Sequence, residues 1–301
     1  MTGQEAVPTL ADALSAMDET VARLSRLSRD KYQNPYTALS WPDSVDPEAD
    51  LFFTPELSSL FQTCYWADLG DAGVRQLAFR EAANFFSLNI HGEKALMAGL
   101  ASRLYRSDLG RLVDYLHHFL DEENKHSVYF GGFCNRYARV YPSRHVAFPG
   151  SPDREVSDLL FFTKVFIFEE IADRYNVLQA RDERLHELPR FINAAHHADE
   201  SRHLVFNRAI VKAFWDVYSP GWDERALADI RAYIGQFLTT TWREYYNPDV
   251  YADCGFSQPY QVADDAWAAP PQRKHRRRIS LKCLDFLLSS GVLLEEPADV
   301  F

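Results

Sequence analysis

The sequence predicts an all-α protein built around a four-helix bundle. Three observations carry this prediction: long segments with helical periodicity, few segments with strand character, and two Glu-x-x-His steps inside the helical segments. The steps are Glu123–His126 and Glu200–His203, and each follows another intrahelical glutamate by about thirty residues. A bundle that holds two metal ions uses one glutamate from each of two helices and a Glu-x-x-His from each of the other two.

The predicted helices follow one another with short breaks. Residues 1–30 carry a weak helical pattern, and the prolines of 31–58 favour a wrapping loop. The longer predicted helices span about 74–106, 109–140, 154–181, 187–217, 223–245 and 273–290. Ser107-Asp108 is a predicted cap for the second of these, and the proline-containing stretch 246–272 is predicted to be irregular.

We expect residues 1–301 to form a single helical domain. Its di-metal bundle core is predicted at about 73–218, an N-terminal segment at 1–72 is expected to wrap it, and C-terminal helices at 223–290 are expected to flank it. Nothing in the composition marks a boundary to a second domain.

The core contains an approximate repeat. Glu93 precedes Glu123 by 30 residues, and Glu169 precedes Glu200 by 31. Both pairs have the order helix, short loop, helix. Two related helical hairpins packed face to face would place a site on the axis between them.

Composition argues against several classes of protein. The formal net charge of −11 argues against nucleic acid as the main partner. The four cysteines are far apart in sequence, which argues against a disulfide framework or a zinc site and fits reduced thiols. The start of the chain lacks the pattern of a secretory signal, and no apolar run is long enough to span a membrane. We therefore expect a cytoplasmic protein without a membrane or nucleic-acid partner.

The predicted ligands of each step share one helix face. Successive helical residues are about 100° apart, so a glutamate and a histidine three positions apart project from nearly the same side. His196 lies one turn before Glu200 and joins the same stripe, whereas His197 would widen it, so His196 is preferred. The first step has no such histidine, because Phe119 holds the corresponding position.

Neighbouring glutamates compete for three of the positions. The preferences are Glu169 over Glu170, Glu123 over Glu122, and Glu93 over Glu81. Apolar neighbours favour Glu169, and the matching phase of the two Glu-x-x-His steps favours Glu123. The repeat distance favours Glu93. Glu170 is instead predicted to form an i,i+4 ion pair with Arg174 on a solvated helix face. Glu81 is predicted to be a surface charge beside Arg80.

The donor set indicates which metal is expected. Many carboxylates with two or three imidazoles and no thiolate suit iron or manganese better than zinc. Burying these carboxylates without cations would be very unfavourable, so metal binding should also stabilise the fold. Two reduced iron ions can pass two electrons to O₂, while the protein contributes ligand geometry, a dry pocket and substrate orientation.

This pattern resembles that of the di-iron N-oxygenases typified by the p-aminobenzoate N-oxygenase of aureothin biosynthesis, the AurF-like family. The family is distinguished by a histidine one turn before the last Glu-x-x-His, which His196 matches, and the order of motifs agrees over about residues 75–215. The resemblance implies a ferritin-like bundle with flanking helices. It also implies the metal ligands Glu93, Glu123, His126, Glu169, His196, Glu200 and His203.

The function implied is that of an O₂-dependent non-haem di-iron oxygenase. We expect it to oxidise a small-molecule amine toward hydroxylamine, nitroso or nitro products in a biosynthetic pathway. The cofactors would be two iron ions, O₂ would be a co-substrate, and a reductant or an electron-donor protein would supply electrons to a homodimer. Two alternatives stay open: a di-iron C–H hydroxylase or desaturase, and a ferritin-like iron-binding protein.

Overall fold

The computed structural model describes residues 9–144 and 150–301. Regular structure in these ranges is helical, and the β pairing within them is one isolated bridge between Leu51 and Leu185. The predicted all-α, ferritin-like bundle is confirmed. The first eight residues of the predicted N-terminal segment lie outside the described residues, so that part of the prediction is not addressed.

Four long helices form the bundle. In chain order, the α-helices of the described residues are α1 (Leu10–Ser15), α2 (Asp18–Asp30), α3 (Gly70–Ala101), α4 (Val113–Tyr137), α5 (Arg154–Arg181), α6 (Glu187–Tyr218), α7 (Glu224–Arg243), α8 (Pro248–Asp253), α9 (Pro259–Ala268) and α10 (Pro270–Ser289). α3 packs with α4 and α5 packs with α6 over most of their lengths. Contacts of α3 with α5 and of α4 with α6 join these two hairpins, and the predicted ligands lie between them.

The predicted cap at Ser107-Asp108 is wrong. α4 begins later, at Val113, after a 3₁₀ turn at Gly110–Leu112, and no side chain in the described part of the chain caps it. Asp108 instead forms ion pairs with Arg106 at 2.7 Å and with Arg154 at 2.5 Å. Because these arginines compete for the carboxylate, it is not available to the backbone N–H groups of a helix end.

The prediction of irregular structure over 246–272 is also wrong, because that range contains α8 and α9. Pro248 and Pro259 stand in the first turns of these helices. Proline is favourable there, since the first backbone N–H groups of a helix have no intrahelical partner. The prolines therefore begin helices rather than prevent them.

The segment before the bundle packs against it. α1 contacts α6, and α2 contacts both α4 and α6. Farther along, the ring of Trp41 lies against Gly132 of α4, where a Cβ atom would be only 2.4 Å from the ring. Glycine at this position lets the loop lie directly on the helix surface. Whether the chain folds as a single domain with the predicted boundaries stays a prediction.

Glu81 of α3 is buried, and it is not the surface charge that its sequence context suggested. Its Oε1 accepts hydrogen bonds from the backbone N–H of Ser59 at 2.8 Å and from the Ser59 hydroxyl at 2.5 Å. Ser59 Oγ is also 2.8 Å from the hydroxyl of Tyr251. Burial raises the pKa of Glu81 to about 7, although the hydrogen bonds from Ser59 oppose the shift.

Replacement of Glu81 by glutamine is expected to flatten the pH dependence of stability. The carboxyl titrates near 7 when folded and near 4.5 ordinarily, so the folded state binds an extra proton between these values. The resulting stabilisation is complete below about pH 4.5 and is lost as the pH rises through about 7. In urea unfolding from pH 5 to pH 8, the free energy of unfolding of the variant should therefore rise relative to that of the wild type. The difference should reach roughly 3 kcal/mol at pH 8.

The matched control for this prediction is Glu56→Gln. Glu56 is largely exposed and pairs with Arg184, which lowers the pKa of Glu56, so its contribution to stability should be constant above pH 5. A difference between the Glu81 variant and the wild type that stays constant from pH 5 to pH 8 would contradict the expected titration.

Candidate metal centre

Two clusters of metal-ligating side chains lie inside the bundle, among the residues that the structure describes. The first contains Glu93, His126 and His196, and the second contains Glu123, Glu169, Glu200 and His203. Every one of these residues is buried, and within each cluster one ligand atom per residue lies within 4.8 Å of the others. Donors bound to one ion at about 2 Å lie within roughly 4 Å of one another, so small side-chain adjustments would give either cluster ligation geometry.

Glu200 lies between the imidazoles. Its Oε1 is 2.9 Å from Nε2 of His196, 3.3 Å from Nδ1 of His203 and 3.6 Å from Nδ1 of His126. Glu123 is placed similarly, with Oε1 at 2.9 Å from Nδ1 of His203 and Oε2 at 3.4 Å from Nδ1 of His126. The two carboxylates of the Glu-x-x-His steps therefore lie at the junction of the two clusters, close to donor atoms of both.

Within residues 9–144 and 150–301, several donor atoms of this centre have no hydrogen-bond partner. They are both carboxylate oxygens of Glu123, Oε1 of Glu169, Oε2 of Glu200, Nδ1 of His126 and Nε2 of His196. Buried polar atoms are normally paired, and unpaired buried carboxylates are strongly unfavourable. Because cations would satisfy these atoms and the donors are all oxygen and imidazole nitrogen, the residues fit two iron ions.

The electrostatic field in the centre also favours cations. Burial raises the pKa of Glu169, and the adjacent Glu200 raises it further. Burial lowers the pKa of His203, but Glu200 and Glu123 outweigh it and raise the pKa well above its ordinary value. A field that retains a proton on an imidazole in the metal-free chain also attracts a divalent cation, which takes the place of the proton.

Comparison with known families agrees with this donor set. The chain matches the family model described as "P-aminobenzoate N-oxygenase AurF" over residues 15–291 of its 301 residues. The chain belongs to this family. No curated protein matches it at a significant level.

Membership in the AurF family settles the class of activity. The members are di-iron N-oxygenases, so this AurF-family protein is an enzyme, an oxidoreductase that acts on a small molecule. Its buried carboxylate and histidine clusters supply donors of the kind that iron binds. Among the described residues, no helix is long and apolar enough to cross a membrane.

The residues that competed with the predicted ligands have other partners in the AurF-family bundle. Glu170 forms an ion pair with Arg208 of α6, so it is buried and not the solvated partner of Arg174. His197 lies outside both clusters, with Nδ1 at 2.6 Å from Asp173. The fold thus brings the seven predicted ligands together in the two clusters, and it leaves Glu170 and His197 outside them. The role of the seven as iron ligands stays a prediction.

A buried charge network holds two of the imidazoles from outside, and sequence reasoning missed it. Nε2 of His126 is 3.1 Å from Asp199 Oδ2, and Nε2 of His203 is 2.8 Å from Glu122 Oε2. Arg202 donates to both of these carboxylates. Outer carboxylates of this kind fix the orientation of a metal-bound imidazole. The signal in the sequence is weak, because it consists only of the position of each of these residues next to a predicted ligand.

Two buried asparagines make further contacts to the predicted ligands. Nδ2 of Asn176 is 2.6 Å from Nδ1 of His196, and Nδ2 of Asn207 donates to Oε2 of Glu169 at 2.7 Å. Each asparagine follows a predicted glutamate ligand of its own helix by seven residues, which is two helical turns. Glu200 is the glutamate that precedes Asn207. Extending the ligand stripes by two turns would therefore have found both residues.

A cavity of about 520 Å³ lies between α3, α5 and the end of α7. Its wall includes Gly92, which precedes Glu93, and Phe168, which precedes Glu169. A Cβ atom at residue 92 would be 2.6 Å from the Phe168 ring, so glycine lets the ring lie against α3. Leu96 and Val165 of the wall lie three residues after Glu93 and four residues before Glu169. Because they share the helix faces of these two predicted ligands, we place the cavity on that side of the centre.

Proposed function

We propose that this protein is an O₂-dependent di-iron N-oxygenase that oxidises an aryl amine toward hydroxylamine, nitroso or nitro products. One observation carries the proposal. Seven buried ligand candidates, several with unpaired donor atoms, lie beside a largely apolar cavity in a chain of the AurF family. Apolar sites with a few polar groups are the usual binding sites of small organic molecules.

The proposed iron ligands are Glu93, Glu123, His126, Glu169, His196, Glu200 and His203. When bound, the two iron ions supply the redox chemistry that activates O₂. Asp199 and Glu122 accept hydrogen bonds at Nε2 of His126 and His203, which keeps a proton on that nitrogen and leaves Nδ1 of each ring facing the centre. This tautomer gives both imidazoles a lone pair for the metal.

The cavity would orient the amine and exclude water. Aromatic side chains of Phe161, Phe168 and Phe237 stand in its wall together with aliphatic residues of α3. A flat ring held between these side chains would present its amino group toward the face that carries Glu93 and Glu169. An apolar wall also strengthens the electrostatic interactions of the centre, since it lowers the local dielectric constant.

The electron donor, the oligomeric state and the type of pathway follow from the family resemblance rather than from contacts in the chain. We propose that an external reductant or electron-donor protein reduces the irons, that the working unit is a homodimer, and that the reaction belongs to a biosynthetic pathway. The family match does not favour a C–H hydroxylase, a desaturase or an iron-storage protein. A storage protein would also have no use for a cavity of this size beside its metal site.

The proposal is tested by oxygen reaction and product analysis. The protein is loaded with iron without air, reduced, mixed with ¹⁸O₂, and offered aryl amines and matched substrates that lack the amino group. Mass spectrometry should find labelled oxygen on nitrogen. His196→Ala should lose this product, while the adjacent His197→Ala, which removes an imidazole that is 39 % exposed, should retain it. Oxidation of carbon alone would contradict N-oxygenation.

A further inference from the structure

Lys164 of α5 places a positive charge in the cavity wall. Its Nζ is 3.4 Å from the hydroxyl of Tyr233 and lies 5.7 Å and 5.9 Å from the ring centroids of Tyr233 and Phe237. Among the described residues, no carboxylate forms an ion pair with it. Burial lowers the pKa of Lys164, and the charge of Arg103 lowers it further.

Arg103, whose charge acts on Lys164, has a different kind of partner. Arg103 lies 2.9 Å from Asp158, a carboxylate that it shares with Arg106, so Arg103 has an anionic partner within the protein. Lys164 has aromatic faces and a hydroxyl instead, which offset only part of the cost of taking an ammonium group out of water. The same wall carries the buried Glu244, whose pKa burial raises to about 7, so near neutral pH this carboxyl offsets only part of the positive charge. The partly buried ammonium therefore favours a ligand that carries a negative charge.

The dimensions of the cavity add a second constraint. Lys164 precedes Glu169 by five residues, or about 7.5 Å along the helix axis, so an acidic group bound at Lys164 would lie apart from an amino group at the centre. α3 lines the cavity from Leu88 to Leu96, about 12 Å of helix. The volume of about 520 Å³ lies within the range of roughly 300–1,000 Å³ typical of drug-sized ligands. p-Aminobenzoate, a single ring with two small substituents, would fill only part of it.

We propose that Lys164 is a specificity-determining residue that binds an acidic group of the substrate, and that this substrate is an elongated aryl amine larger than p-aminobenzoate. The inference rests on the proposed function, because it assumes that the amine lies at the centre. It adds the charge and the length of the substrate, which the metal ligands do not define.

Binding of a matched pair of probes tests the role of the charge. The probes are 4′-aminobiphenyl-4-carboxylate and neutral 4-aminobiphenyl, with p-aminobenzoate as the short acid. Titration calorimetry on iron-loaded, oxygen-free protein should give tighter binding of the long acid than of the neutral probe by about tenfold to a hundredfold. The long acid should also bind more tightly than p-aminobenzoate.

Substitutions at Lys164 test whether its ammonium group causes the preference for the acidic probe over the neutral one. Lys164→Met should remove the preference for the acid and leave the affinity for the neutral probe within a few-fold of the wild-type value. Lys164→Arg, which keeps the positive charge, should retain the preference for the acid. Lys212→Met removes one exposed positive charge from α6 and should keep the preference. Circular dichroism and iron content establish that each variant is folded and loaded.

The outcomes separate this inference from the proposed function. An equal preference for the acid in wild type and Lys164→Met, or tighter binding of p-aminobenzoate than of the biphenyl acid, would overturn the inference. Amine oxidation could then still occur and would support the N-oxygenase proposal by itself. Tight, Lys164-dependent binding of the long acid without oxidation at nitrogen would support the binding site and contradict the proposed reaction.

Discussion

Replacement of Glu200 by alanine is expected to abolish tight iron binding. In the wild type we expect about two irons per chain, and Glu200 lies within 3.6 Å of a ring nitrogen of each of the three proposed histidine ligands. Loss of its carboxylate removes the donor at the junction of both clusters. Iron content after anaerobic loading and desalting, measured by atomic emission, should fall well below one per chain.

The same substitution should abolish the stabilisation that iron provides. A ligand present at a thousand times its dissociation constant stabilises the folded state by about 4 kcal/mol. Iron should therefore raise the free energy of unfolding of the wild type by an amount of this order and leave the Glu200 variant unchanged. Glu170→Ala is the control, because Glu170 is a buried glutamate of α5 that pairs with Arg208 outside the clusters. Two irons retained by the Glu200 variant would refute the proposed ligand set.

Local periodicity explains why so much of the centre was predictable. Residues at helical spacing share a face whatever packs against it, so Glu200, His203 and His196 could be placed on one stripe from the sequence. The boundaries of α5 were also predicted, since no proline interrupts its helical pattern, and the structure shows that Asp153 caps its start. The repeat distance then related the two hairpins. These signals all lie within single helices or within one connection.

Contacts between distant elements could not be predicted in the same way. Arg202 is adjacent to a predicted ligand, but its partner Glu122 is 80 residues away in sequence, and Ser28 of α2 is 174 residues away. The cavity likewise depends on α7, which supplies Phe237 and Thr241. Periodicity shows that a helix has a buried face, but it does not show which helix covers that face.

Arg202→Met is expected to destabilise the protein by about 3–5 kcal/mol. Arg202 is buried and bridges Glu122 and Asp199, the two carboxylates that hold His203 and His126. Without the guanidinium, two carboxylates remain buried with fewer positive partners, and leaving a buried charge uncompensated is more unfavourable than losing a surface ion pair. Urea unfolding of the metal-free protein measures this effect directly.

The control for this prediction lies on the same helix. Lys212 forms an exposed pair with Asp216, so Lys212→Met should change stability by less than about 1 kcal/mol. Arg202→Lys should fall between the two, because a single ammonium group cannot reproduce the fork of a guanidinium that reaches two carboxylates. Stability of Arg202→Met within 1 kcal/mol of the wild type would show that the network contributes little to the fold.

The effect of Arg202 on metal binding separates a packing role from a positioning role. If Glu122 and Asp199 orient the imidazoles, releasing them should weaken iron binding by about tenfold to a hundredfold even where the variant is fully folded. A purely structural arginine would lower stability and leave the affinity of the folded protein unchanged. Iron titration at a low temperature, where the variant is folded, therefore tests whether the charge network belongs to the metal centre. We expect the affinity to fall, because Arg202 contacts the outer partners of one imidazole from each Glu-x-x-His step.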